Sequence, residues 1–191
     1  GTVADIGCGD ILGVALLMRY DGCEQVNLID RYRSRRDPQK QRRVYEALSN
    51  RHALDWLKSG PAWNDQEFKG LTLRIGQSAE AYFKQQARSR RQFYDIIVSR
   101  AVMEHLYDPL QALEDMVTCL KPGGRMLHKI DLRDHGMFTP YHQELTFLTF
   151  PGSLHRLMTR NSGRPNRVLW HQYRDLLDRL HKDGLVEYQA Y

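Results

Sequence analysis

Thr2-Val3-Ala4-Asp5-Ile6-Gly7-Cys8-Gly9-Asp10 is a short apolar run that enters a Gly-x-Gly turn, and Val26-Asn27-Leu28-Ile29-Asp30 is a second apolar run that ends in an acid. A strand, a glycine turn, a helix and a second strand tipped by a carboxylate make the half of a parallel α/β sheet that holds a nucleoside. The glycines let the backbone approach a ligand with no Cβ between them, and Asp30 can accept hydrogen bonds from both ribose hydroxyls. These stretches predict an adenosine-type cofactor.

The turn decides which cofactor. A dinucleotide fingerprint reads G-x-G-x-x-G and presents helix N-terminal amides to a pyrophosphate. Here the run is Gly7-Cys8-Gly9-Asp10-Ile11-Leu12-Gly13, with the third glycine displaced by one position. Asp5 and Asp10 flank the turn, and acids repel a pyrophosphate. A ligand with a cationic centre suits the site better.

Further apolar runs follow in order. Leu71-Thr72-Leu73-Arg74-Ile75-Gly76 alternates as a third strand and leads to Gln77-Ser78-Ala79-Glu80, where Ser78 can cap a helix. Phe93 to Arg100 reads as a buried fourth strand, followed by Ala101-Val102-Met103-Glu104-His105-Leu106. Asp108-Pro109 starts a helix that buries Leu110, Leu113, Met116, Val117 and Leu120, and Lys121-Pro122-Gly123-Gly124 is expected to stop it. Arg125 to Leu132 is expected as the fifth strand. A closing helix carries Trp170, Tyr173, Leu176, Leu177 and Leu180 on one face, stopped by Gly184, with Trp170 assigned to the core.

This series of strand, acid-x-Gly-x-Gly, acid-tipped strand, Glu-His-Leu and Lys-Pro-Gly-Gly resembles the class I S-adenosylmethionine-dependent methyltransferases, in their small-molecule, type 11 and 12 branch. The resemblance runs from about Thr2 to Leu132 and resumes at the late helix. It implies a Rossmann-like, doubly wound, mostly parallel sheet and S-adenosyl-L-methionine as cofactor. Gly1 abuts the first strand, and Val186 to Tyr191 alternates like the start of a sixth, so the sheet is expected to be truncated at its final strands.

The resemblance also assigns a site. Asp30 takes the ribose; Asp5 supports the turn and the ammonium end; Gly7, Cys8 and Gly9 form the turn, and Arg31 adjoins Asp30. Ser78 and Ala79 stand near the adenine, where the family usually has an acid and a small residue. Ser99 and Arg100 end strand four beside the methionine part, with Arg100 either pairing with its carboxylate or simply exposed. For a general base the candidates are His135 and Asp131 at the exit of strand five, near Arg133 and Asp134, and then His105, whose Glu104-His105 pair also fits a packing role. His52, His155 and His181 are expected on the surface. No His, Cys and acid group has metal spacing, so no metal is expected.

One domain spanning 1–191 fits the length, with insertions at about 31–70 and 135–167. Arg31, Arg33, Arg35, Arg36, Lys40, Arg42 and Arg43 crowd the first insertion, which reads either as a solvated face or as a grip on an anionic partner. A net charge of +5 favours neither reading. Tyr32 and Tyr45 interleave with the arginines, so nucleic acid is a partner to weigh, though less favoured than a small acceptor, anionic or a saccharide. The second insertion, His135 to Arg167, either shields the reacting methyl with its aromatics or forms a subsidiary core. No apolar run approaches the roughly 20 residues that cross a membrane, and three cysteines fit a reducing compartment, so membrane insertion is not expected and the location is cytoplasmic.

Overall fold

The computed structural model describes residues 1–33, 37–58, 68–136 and 143–191. Strands β1 (Thr2–Ile6), β2 (Gln25–Asp30), β3 (Leu71–Ile75), β4 (Tyr94–Arg100) and β5 (Leu120–Lys129) form a parallel sheet in the order β3-β2-β1-β4-β5. Helices α1 (Gly13–Tyr20), α2 (Pro38–His52), α3 (Ala79–Ser89), α4 (Pro109–Cys119), α5 (Gly152–Thr159) and α6 (Trp170–Lys182) complete the secondary structure, with short 3₁₀ turns between them. This is the expected Rossmann-like, doubly wound arrangement.

Alternation along the strands divides the core into two layers. Val3, Val26 and Leu28 point to the side of α1 and α2, where they join Leu12, Leu16, Tyr45 and Leu54. Ala4, Ile6, Ile29 and Ile97 point to the other side, against Phe83, Leu113, Met116, Leu176 and Leu180 from α3, α4 and α6. Asn27 faces this second layer as a buried polar group, and its Nδ2 donates to the Tyr94 hydroxyl at 3.2 Å.

Helix starts follow local chemistry. The Asp37 carboxylate accepts from the Gln39 and Lys40 amides at 3.0 and 3.2 Å, with Pro38 in the first turn of α2. Ser78 caps α3 and Asp108 caps α4, each accepting an amide hydrogen bond at 3.2 Å. Such caps satisfy donors that have no partner within the helix.

Several expectations are corrected. The first helix spans Gly13–Tyr20, and within the apolar run from Ile11 to Met18 that fits a buried helix, Ile11 and Val14 are exposed. The fifth strand spans Leu120–Lys129, not Arg125 to Leu132. Lys121-Pro122-Gly123-Gly124 lies within it as a bulge, since Tyr94 pairs with Leu120 but Ile96 pairs with Arg125. Backbone crowds this bend: a Cβ on Gly124 would sit 2.9 Å from the Lys121 carbonyl and 3.1 Å from that of Tyr94. Lys121 meets Asp95 at 2.8 Å, and Asp95 also accepts the Thr2 amide at 2.6 Å, tying the bulge to β1. Val186 to Tyr191 forms no strand, because the chain after α6 finds no ladder partner among the described residues. Trp170 opens α6 and is 41% exposed, and Tyr173 takes the core position. His155 is buried against Phe147, with ring centroids 6.2 Å apart, so it belongs to a subsidiary core and not to the surface.

Phe83 is fully buried, with ring centroids 5.2 Å from Tyr82 and 6.0 Å from Tyr94. Phe83→Ala is expected to cost about 3–5 kcal/mol of unfolding free energy, from lost transfer energy and the cavity left behind. Urea denaturation measures this, and a loss below 1 kcal/mol would contradict the packing described.

Candidate functional site

Strand order reverses about β1, whose neighbours are β2 and β4, and ligands of open parallel sheets lie beyond the carboxyl ends at such a point. Here the chain opens a cleft of about 350 Å³. Gly7 enters it with φ +71°, and its amide donates to the Ile29 carbonyl at 2.8 Å. A Cβ on Gly7 would lie 2.3 Å from Val102 Cγ2, so only glycine fits this cradle. Asp30 holds the end of β2: one carboxylate oxygen accepts the Tyr32 amide at 2.9 Å, and the other faces the Gly9 amide at 3.4 Å.

The expected residues separate into two groups. Gly7, Asp30, Arg31, Ser78, Ala79, Arg100 and His105 line the cleft. Asp5, Cys8, Gly9, Ser99, Asp131 and His135 do not. Ser99 faces the buried side of β4, where its hydroxyl meets His128 Nδ1 at 2.7 Å, and burial pushes that imidazole down to about 4. Asp5 sits behind the turn. Burial and then the nearby charge of Asp30 push its carboxyl up to about 6. Two acids so close are relieved by a cation.

The wall opposite the turn comes from the end of β4. Ala101 has φ +54°, uncommon for a residue with a side chain, and its amide donates to the Lys129 carbonyl at 2.8 Å. The chain then turns through Met103–His105 and places His105 in the cleft wall. His105 is held by a main-chain hydrogen bond with Gly163, while its Nδ1 is buried with no hydrogen-bond partner among the described residues. Its ring packs edge-on against His135, with centroids 5.3 Å apart. Behind it, His135 Nε2 lies 3.4 Å from Asp131, which is gripped by Arg133 through two hydrogen bonds of 2.7 and 2.6 Å. That guanidinium holds the Asp131 carboxyl far below the usual carboxylate range, which makes the ionised carboxylate a weak proton acceptor. Burial, then the proximity of His135, pushes the His105 imidazole below its ordinary range.

Asn166 was not foreseen and organises this wall. Its amide donates to the Glu104 carbonyl at 2.6 Å, and its Nδ2 donates to the carbonyls of Met103 and Leu106, both at 2.9 Å. The second insertion is thereby fastened to the turn that carries His105. It reaches the cleft itself through Gly163, close to the Tyr32 ring. Phe147 is buried in the subsidiary core, while Phe138 and Tyr141 lie outside the described residues, as do Arg35 and Arg36. Arg31 in turn stacks over Tyr107, with its guanidinium carbon 4.4 Å from the ring centroid.

A family model described as a methyltransferase domain matches residues 1–186. The chain belongs to the methyltransferase family. The cofactor of this S-adenosyl-L-methionine-dependent methyltransferase domain is S-adenosyl-L-methionine, and the site fits it: a cradle only glycine allows, a carboxylate at the tip of β2, and paired acids suited to a cationic ligand. No curated protein matches the chain. Among solved structures, the methyltransferase-fold chain is similar to the YcgJ protein from Bacillus subtilis, with TM-score 0.51 and 16% identity over 93% of this chain and 60% of the other. It is likewise similar to a protein of Bacillus halodurans C-125 assigned as a methyltransferase, with TM-score 0.51 and 14% identity over 93% of this chain and 61% of that one. At such identities the likeness shows the fold. The chain spans 60% and 61% of the length of these two solved structures. Among the described residues, no helix is long and apolar enough to cross a membrane and no group of three or more His, Cys and acids is placed to hold a metal.

The folded Asp5 carboxyl titrates near 6 and the unfolded one near 3.8, so the folded protein holds an extra proton between these values. Its contribution to stability is full below that window and lost as the pH rises through it. Relative to the parent, Asp5→Asn is expected to gain up to about 2 kcal/mol between pH 4 and pH 7. Urea midpoints at each pH test this, and a difference that stays flat would contradict the paired-acid geometry.

Proposed function

We propose that this protein transfers the methyl group of S-adenosyl-L-methionine to an oxygen or nitrogen of a small polar or anionic molecule, with sugars among the candidates. The observation that carries this reading is the cleft at the switch point, with Asp30 at one wall and His105 at the other. Gly163 of the second insertion borders this cleft, which supports a small acceptor. Lys40 and Arg42, within the basic run of the first insertion, are engaged by Asp37 at 3.9 Å and Glu46 at 2.7 Å, which favours a solvated face over a nucleic-acid grip. Transfer to RNA or another macromolecule, and cofactor binding without turnover, are the alternatives. The three free cysteines support a cytoplasmic location.

Bound S-adenosyl-L-methionine supplies a methyl group activated by a sulfonium. The protein aligns donor and acceptor and, for a hydroxyl or ammonium acceptor, removes a proton. In this reading Asp30 binds the ribose hydroxyls, Asp5 supports the turn and the ammonium end, Gly7, Cys8 and Gly9 bring the backbone close, and Ser78 and Ala79 flank the adenine with Arg31 beside it. Arg100 and the carbonyls near Ser99 face the methionine part. His105 is the base, being neutral at physiological pH and part of the cleft wall. His135 and Asp131 act behind it as the pair that keeps its ring in place.

Titration calorimetry with S-adenosylhomocysteine and with NAD tests the cofactor site. Asp30→Ala is expected to weaken S-adenosylhomocysteine by roughly 1.5–3 kcal/mol per charge-assisted hydrogen bond lost; unchanged affinity, or tight binding of NAD alone, overturns the assignment. Labelled methyl donor incubated with fractionated small metabolites and with RNA identifies the acceptor class. With that acceptor, His105→Asn is expected to lower kcat by about 100-fold and to remove the acid-side fall of kcat/KM. A variant that keeps the parental pH profile would remove His105 from the mechanism.

A further inference from the structure

We infer that Gln41 and Tyr45 are positioning residues for the cofactor, and that helix α2 of the first insertion clamps the glycine turn from outside the cleft. The inference rests on the reading that this turn holds S-adenosyl-L-methionine.

Helix α1 starts without a side-chain cap of its own. The amide of Leu12, just ahead of its first turn, donates instead to the Tyr45 hydroxyl at 3.1 Å. Two residues earlier, the Asp10 carbonyl accepts from Gln41 Nε2 at 2.5 Å. A donor and an acceptor from the second helix thus serve backbone groups about thirty positions away in the chain, where a cap would normally act. Leu48 adds an apolar contact, since a Cβ on Gly13 would meet its Cδ1 at 3.2 Å. Gln41, Tyr45 and Ser49 follow a spacing of four and form the buried stripe of α2. Lys40, Arg42 and Arg43 point outward on the same helix.

The turn is therefore gripped on both sides. On the inner side the Gly7 amide reaches the Ile29 carbonyl and Asp30 faces Gly9; on the outer side Gln41 and Tyr45 hold Asp10 and Leu12. Both outer side chains are buried, so water does not readily replace either contact. A turn held in its binding geometry before the ligand arrives loses less freedom on binding. If the outer grip is removed, that ordering falls to the cofactor and its affinity drops while the sheet stays folded.

The test measures S-adenosylhomocysteine binding by calorimetry on the full chain, at a temperature where every variant is folded. Tyr45→Phe removes one hydroxyl, and Gln41→Leu removes one amide at similar volume. Each is expected to raise Kd about fivefold, the effect of one neutral hydrogen bond, and each is expected to speed amide exchange at Leu12. Leu57→Ala, a core change beside the same helix, supplies the control: it lowers the urea midpoint while leaving Kd within twofold of the parent. Kd values within twofold for both Tyr45→Phe and Gln41→Leu, with parental exchange at Leu12, overturn the inference, and so does a Leu57→Ala that weakens binding as much as they do. If Tyr45→Phe fails to fold, Gln41→Leu decides by the same criteria. A parent chain that fails to bind S-adenosylhomocysteine overturns the cofactor reading instead, and this inference with it.

Discussion

Two carboxylates at one end of a parallel sheet set the terms for the rest of this molecule. Asp5 and Asp30 arrive there because β1 and β2 run side by side in register, Asp5 opposite Leu28 and Ile6 opposite Ile29, with Asp30 just past the pairing. The backbone cannot move them apart without breaking that ladder. Burial, and after it the charge of Asp30, shows in the Asp5 carboxyl, which keeps its proton up to about 6. A fold places like charges together at a cost, and such places are where charged ligands bind. The glycine turn between them supplies amides and leaves room.

Around that pair the protein builds walls from segments distant in sequence. The end of β4 turns sharply at Ala101 and carries His105 inward. Asn166 then fastens the second insertion to the same turn by donating hydrogen bonds to three of its carbonyls, those of Met103, Glu104 and Leu106. Both insertions thus act on the cleft from behind, one through the glycine turn and the other through the turn that bears His105. Neither is mere decoration on a common sheet.

Much of the fold was legible because the physical signals are local. Strand runs bounded by turn residues, Asp108-Pro109, and Ser78 ahead of a helix each carry their own cause within a few positions. The cleft residues Gly7, Asp30 and Arg31 were legible for the same reason, since a turn and a strand tip are local geometry. The misreadings share a different origin. Lys121 to Gly124 looks like a helix stop because Pro and Gly punctuate a chain, yet the strand absorbs it as a bulge. His155 and Trp170 exchanged the roles expected of them because burial depends on what packs above a residue, which spacing alone does not reveal. Asn166 gave no signal at all in a polar stretch, since its value lies in carbonyls some sixty residues away. Asp131 is a candidate base by position, and the grip of Arg133 on both its oxygens was not legible from the sequence.

The crowding of negative charge at Asp5 and Asp30 also bears on turnover. A methyl donor of this class carries a positive sulfur, and the sulfide left after transfer does not. The cleft lining sets the one acid, Asp30, against Arg31 and Arg100, with Asp5 behind the turn, so the balance of these charges and not the acids alone would set how differently the donor and the spent nucleoside are held.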